Sequence, residues 1–155
     1  MALAVRSDRR RLILGATALS ASALVPLLLA KAALATPQAA VELLRKLAKG
    51  APQHGRVALQ LPEIAENGNS VPITVTVESP MTEADHVTAI HVVADANPNP
   101  GVFTVRLGPQ NGRAEVSLRI RLAGSEKVIA LAEMSDGSVW TASRDVAVTV
   151  GGCGG

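Results

Sequence analysis

The residue in this chain best suited to covalent chemistry is Cys153, the single cysteine among 155 residues, set in Val150-Gly151-Gly152-Cys153-Gly154-Gly155. A thiolate is a strong nucleophile that forms reversible sulfur adducts, and an exposed free thiol is otherwise avoided because it oxidises. Glycine has no Cβ, so a tail of this composition gains little by ordering and sweeps widely. No adjacent side chain screens the sulfur. The plainer reading is a disordered tail into which a cysteine falls by chance. The symmetric glycine pairs, placed directly behind Val146, Val148 and Val150, argue against it. Three extended residue steps from Val150 to Cys153 span about 11 Å. That reach would carry the thiol into a cleft on another protein, which is the logic of a carrier arm formed by Gly151, Gly152, Gly154 and Gly155 around Cys153.

One cysteine cannot close an internal disulfide. Cys153 therefore stays free, pairs with another molecule (a second copy included), or bears an adduct. A prenyl acceptor is excluded on spacing, because that motif has its cysteine fourth from the end. Thiolate formation is favoured by nearby cations, and the tail holds none; the nearest basic residue in sequence is Arg144. The carboxylate of Gly155 opposes a second negative charge. Activation is therefore expected from an enzyme or partner that the tail visits.

Elsewhere the chemistry is sparse. His54, His86 and His91 show neither HxH nor HxxxH spacing, so no metal site is predicted and they read as ordinary surface or partly buried histidines. Glu78, Glu83 and Asp85 flank a turn but lack the dense alternating oxygen ligands of calcium loops. Arg113, Arg119 and Arg121 share the wet face of a strand, which is either an anion-steering surface or simply a solvated face. No glycine-rich phosphate loop joins a strand to a helix, so nucleotide binding has no support. No catalytic constellation and no cofactor are expected. With Cys153 as the reactive group, the alternatives to a carrier are a thiol oxidoreductase or sulfurtransferase using it as nucleophile, and a structural sandwich that dimerises through it. The enzyme would need a resolving cysteine or a fixed activating pocket, and the sequence offers neither.

The elements that must position the thiol follow from patterning. Residues 1–35 read as an export signal: Arg9-Arg10-Arg11, a mostly apolar run over residues 12–30, and Ala33-Leu34-Ala35 as cleavage site. Arg9 and Arg10 before the apolar run match a twin-arginine signal. The competing readings are a general secretory signal and an uncleaved anchor; the Ser, Thr, Gly and Pro content argues against the anchor. The expected location is the periplasm. That segment carries five of the fifteen basic residues and one of the thirteen acidic ones, leaving ten and twelve. The remaining body is slightly acidic, and nucleic acid is not an expected partner.

Thr36-Pro37, then Ala40, Leu43, Leu44 and Leu47 at helical spacing, predict one amphipathic helix over residues 36–50, closed by Gly50 and Pro52. Residues 56–150 read as β. Val71, Ile73, Val75 and Val77, and Ala114, Val116, Leu118, Ile120 and Leu122, alternate with mainly polar residues. Further strands are expected over 56–61, 87–94, 102–107, 127–134 and 139–150. The run 128–132 is apolar on both faces and belongs at the centre of a sheet, and Asp136-Gly137 marks a hairpin. About seven strands without crossover helices predict an all-β, immunoglobulin-like antiparallel β-sandwich. Phe103 and Trp140 are the only aromatics, so the core is aliphatic and Trp140 packs rather than binds ligand. With 48% hydrophobic residues, the sparsely charged segment 127–134 is expected to leave an apolar face that a partner covers.

The ending Val148-Thr149-Val150-Gly151-Gly152-Cys153-Gly154-Gly155 resembles the SoxY family, the sulfur-carrying subunits of the periplasmic thiosulfate-oxidising system. The likeness extends through Ser70-Val71-Pro72-Ile73-Thr74-Val75, Glu78-Ser79-Pro80-Met81-Thr82, Asn97-Pro98-Asn99-Pro100, Gly112-Arg113-Ala114, Arg119-Ile120-Arg121-Leu122-Ala123 and Ala132-Glu133-Met134-Ser135-Asp136-Gly137. It departs at Leu12-Ile13, where a Phe-Leu pair is usual in the leader. The resemblance implies a non-catalytic carrier with sulfur attached to Cys153, acting as a heterodimer with SoxZ. It implies visits to the SoxAX cytochrome, the SoxB hydrolase and, where present, the SoxCD sulfur dehydrogenase, with the redox metals on those partners.

Overall fold

A computed structural model describes residues 37–152 of the chain. Arg9, Arg10 and the rest of the leader, and Cys153, Gly154 and Gly155, lie outside the described residues. Helix α1 (Pro37–Leu47) precedes eight strands: β1 (Val57–Gln60), β2 (Ile64–Asn67), β3 (Val71–Val77), β4 (Val87–Ala94), β5 (Gly101–Arg106), β6 (Glu115–Ile120), β7 (Glu126–Met134) and β8 (Val139–Val150). They form two sheets, ordered β1-β3-β6 and β2-β8-β7-β4-β5. This is an all-β sandwich with one short helix, as the alternation predicts.

The period-two strands face inward as expected. In β3, Val71, Ile73, Val75 and Val77 are buried and Pro72 is exposed. From the other sheet, Ile90, Val92, Val128, Ala130 and Ala132 meet them in a single aliphatic core. Burying a residue the size of Ile73 or Ile90 contributes about 1.5–3 kcal/mol, so the aliphatic interior carries the sandwich without aromatic help. Phe103 and Trp140 pack at its margin. Trp140 donates its Nε1–H to Ser138 Oγ (3.1 Å), and the Arg56 guanidinium lies 5.1 Å from its ring.

Strand β7 is central, between β8 and β4. The β7–β8 hairpin turns at Gly137, whose φ of +82° is a left-handed conformation suited to glycine. There Met134 N donates to Ser138 O (2.9 Å) and Gly137 N to Met134 O (3.1 Å).

Two expectations need correction. The sheet is not wholly antiparallel: β2, which the sequence patterning does not mark, pairs parallel with the end of β8, Asn67 opposite Val150. Its four residues are too short and too polar to show a period of their own. The face of β7 away from the core is not an exposed apolar surface. Leu131 is 1% exposed, and Val93 on β4 is buried beside it. Helix α1 packs against β4 on this side, with Ala40 buried and the Leu43 side chain against Gly101. Behind the helix, Lys49 Nζ reaches Glu133 Oε2 (3.2 Å), whose Oε1 meets buried His91 Nε2 (3.1 Å). The His91 Nδ1 pairs with Thr104 Oγ1 (2.9 Å). Burial works to raise the pKa of Glu133, but the bonds from Lys49 and His91 together outweigh it and hold the carboxyl below its usual range.

Candidate functional site at the root of the C-terminal tail

Three strand ends converge where the chain runs into Gly151. Strand β8 brings Val150, β2 brings Asn67 and Gly68, and the segment leaving β6 brings Leu122 and Ala123. Gly68 N donates to Val150 O (2.8 Å), Leu122 N donates to Gly68 O (2.8 Å), and Gly152 N donates to Leu122 O (2.9 Å). Gly68 thus links the end of one sheet to the segment leaving the other, and Gly152 returns to the same segment. The turn after β2 is held by Asn67 Oδ1, which accepts from Asn69 N (2.9 Å). Arg119 Nε donates to Ser70 Oγ (2.6 Å) beside it.

The segment on which Gly152 rests is itself fixed. Buried Asn97 donates its Nδ2 to Arg121 O (3.0 Å) and accepts Ala123 N at Oδ1 (2.8 Å). Ala123 N also approaches Glu126 Oε1 (3.1 Å), and Ala96 N donates to Glu126 Oε2 (3.0 Å). Ser125 Oγ accepts from Val148 N (2.9 Å), tying the same turn to β8. Burial pushes the Glu126 carboxyl above its usual range, although backbone bonds from Ala96, Gly124 and Ala123 oppose the shift.

Of the predicted arm, Gly151 and Gly152 are described, and they lie against the body. Gly152 is buried, and its N–H is hydrogen-bonded to Leu122 O. Its signal was invisible locally, because the atoms that close on these glycines belong to residues 68, 122 and 123. Cys153, Gly154 and Gly155 lie beyond the described residues.

Arg144 does not supply a cation here. Its Nε donates to Leu59 O (2.9 Å), and six residue steps separate it from Val150, about 20 Å along β8. The three arginines on the wet face divide. Arg113 pairs with Glu115 (3.7 Å), Arg119 is engaged by Ser70, and Arg121 adjoins Leu122 in the fixed segment. His54 is exposed, His86 Nδ1 meets Thr82 O (3.0 Å), and His91 is buried with Thr104 and Glu133. Asp85, from the acidic turn, pairs with Arg56 (3.7 Å). Among the described residues no cluster of His, Cys, Asp and Glu could hold a metal, and no helix is long and apolar enough to cross a membrane.

A search of curated proteins found no match. The solved structure of the sulfur carrier protein SoxY from Chlorobium limicola f thiosulfatophilum is similar, with a TM-score of 0.61 and 30% identity, covering 74% of this chain and all of that one. The superoxide reductase (neelaredoxin) from Ignicoccus hospitalis has a TM-score of 0.55 at 17% identity, covering 61% of this chain and 80% of its own. A putative superoxide reductase from Thermotoga maritima has a TM-score of 0.54 at 22% identity, covering 63% and 93% respectively. At such identities these last two share the fold alone. The family described as "Sulfur oxidation protein SoxY" matches residues 43–153, from within α1 to the cysteine itself, and the chain belongs to that SoxY family.

Proposed function

We propose that this protein is a covalent carrier of sulfur intermediates, with Cys153 as the attachment point. The observation that carries the reading is that the family match extends to residue 153, the single cysteine, while a 30% identical relative is a sulfur carrier protein. The chain is exported by the twin-arginine route through Arg9 and Arg10 and works in the periplasm as a heterodimer with SoxZ.

In this reading Cys153 thiolate and thiosulfate are joined by an S–S bond at the SoxAX cytochrome, which accepts the two electrons released. The product is Cys–S–S–SO3⁻. Water, delivered by the SoxB hydrolase, cleaves the S–SO3⁻ bond; sulfate and two protons leave, and the cysteine keeps a persulfide. Where SoxCD is present, it oxidises the outer sulfur to a sulfonate with oxygen from three waters, taking six electrons and releasing six protons. Hydrolysis of that sulfonate returns the thiol. The carrier contributes the sulfur atom and its placement. Arg144, the nearest basic residue in sequence, is held at Leu59, about 20 Å along β8 from Val150. That is consistent with activation on the visited partner.

The test is intact mass of protein from thiosulfate-grown cells, before and after reductant, beside Cys153→Ser in the reconstituted system. A reductant-labile adduct of whole sulfur or thiosulfate mass on the wild type alone, with turnover lost in the serine variant, is the expected result. Wild-type turnover by Cys153→Ser would end the carrier reading. A mass equal to two chains, with no adduct, would favour a Cys153 disulfide dimer.

A further inference from the structure

Glycines at the root of the tail have a reason to be there that is separate from mobility. A Cβ on Gly151 would overlap Ala123 O. A Cβ on Gly68 would overlap Leu122 O and sit 2.8 Å from Gly152 N, and one on Gly152 would lie 3.0 Å from both Gly68 O and Leu122 O. The tightest obstacles are backbone, which cannot swing aside as a side chain does; at Gly68 the Val148 side chain adds a contact at 3.0 Å. None of the three glycines has a left-handed φ, unlike Gly55, Gly112 and Gly137, so unusual backbone angles do not account for them. What they share is one close approach of three chain segments, cross-linked by the bonds Gly68 N–Val150 O, Leu122 N–Gly68 O and Gly152 N–Leu122 O.

We propose that Gly68, Leu122 and Ala123 form a seat that holds Gly151 and Gly152 on the body, and that Gly68 is a positioning residue for presentation of Cys153. The seat stands on geometry alone; its role in presentation rests on the carrier reading. With Gly152 seated, the Cys153 Cα lies one residue step, about 3.8 Å, from an anchored point. With the Gly152 N–H released from Leu122 O, the reach from Val150 grows to about 11 Å. The seat therefore sets whether the free tail begins at Gly152 or at Val150. It limits the directions from which a partner's active site meets the thiol. Of the four glycines around Cys153, the first pair serves docking.

Amide hydrogen exchange by NMR on the full mature chain tests this. The Gly152 amide is expected to exchange at least about tenfold more slowly than an unstructured glycine. Gly68→Ala and Gly151→Ala should each remove most of that protection while leaving the core amides of β4 and β7 protected. Because residue 151 is at the surface, this variant keeps the test alive if Gly68→Ala does not fold. Gly154→Ala should leave the protection of Gly152 unchanged. In the reconstituted system, Gly151→Ala should raise the KM of the partner hydrolase for the carrier several-fold, with the rate of Cys153 alkylation by iodoacetamide unchanged. Wild-type Gly152 exchanging at the unstructured rate, or Gly151→Ala leaving its protection intact, would overturn the seat. An unchanged KM would overturn the positioning role. None of these outcomes depends on Cys153→Ser, whose turnover judges the carrier reading separately.

Discussion

Asn97→Ala probes the segment on which the tail rests. The side chain is 3% exposed and makes two bonds, Nδ2 to Arg121 O at 3.0 Å and Oδ1 from Ala123 N at 2.8 Å. Each such bond is worth about 1 kcal/mol net, and a buried group left without a partner costs about 1–3 kcal/mol. The two partners differ in what they lose. Ala123 N keeps Glu126 Oε1 at 3.1 Å, so it is not orphaned. Arg121 O loses its Asn97 donor, so only one of the two partners is left without that bond's replacement. Full orphan penalties therefore do not apply to both, and the expected loss is about 2 kcal/mol rather than 4 or more. For a domain of this size that lowers the thermal midpoint by about 6–10 °C. Thermal and urea melts measure it, with an unchanged urea slope showing that the denatured state is not the cause. Exchange of the Gly152 amide should accelerate in the same variant, because Leu122 lies between the two anchored groups. A midpoint within 2 °C of wild type, or lower stability with Gly152 exchange unchanged, would refute the idea that Asn97 holds the tail's support.

Two further outcomes follow from other parts of the fold. Glu133 has a lowered pKa, so its contribution to stability is present above the ordinary carboxylate range and is lost as pH falls through the folded value. Lys49→Met should cost no more than about 1 kcal/mol at pH 7, because the lysine is largely exposed, and should flatten the acid side of the stability profile; a profile matching wild type below pH 5 would contradict this. Gly137→Ala should destabilise by about 1 kcal/mol from its φ of +82° alone, since open space surrounds the site. A neutral or stabilising effect in a urea melt would show that the hairpin turn relaxes.

The sequence alone carries the alternation of Val71, Ile73, Val75 and Val77, which puts these residues inside because a strand's side chains point to opposite faces in turn. It also carries the central place of β7, through a run apolar on both faces, and the Asp136-Gly137 turn, through the left-handed backbone that glycine accepts. Cys153 stands out by uniqueness and by its glycine setting, which are properties of the string. Tertiary structure decides what depends on distant partners. Ile64–Asn67 becomes a strand because the end of β8 pairs with it in parallel, not through any pattern of its own. Helix α1 docks against β4 on the side away from the core, a place that the spacing predicting the helix does not reveal. His91 is buried because Thr104 and Glu133 satisfy both ring nitrogens from neighbouring strands. Gly151 and Gly152 read in sequence as freedom of the chain; in the fold they are where Gly68, Leu122 and Ala123 come too close for a Cβ. Composition reports what a residue permits, whereas only the packing of segments far apart in sequence determines which permission is used.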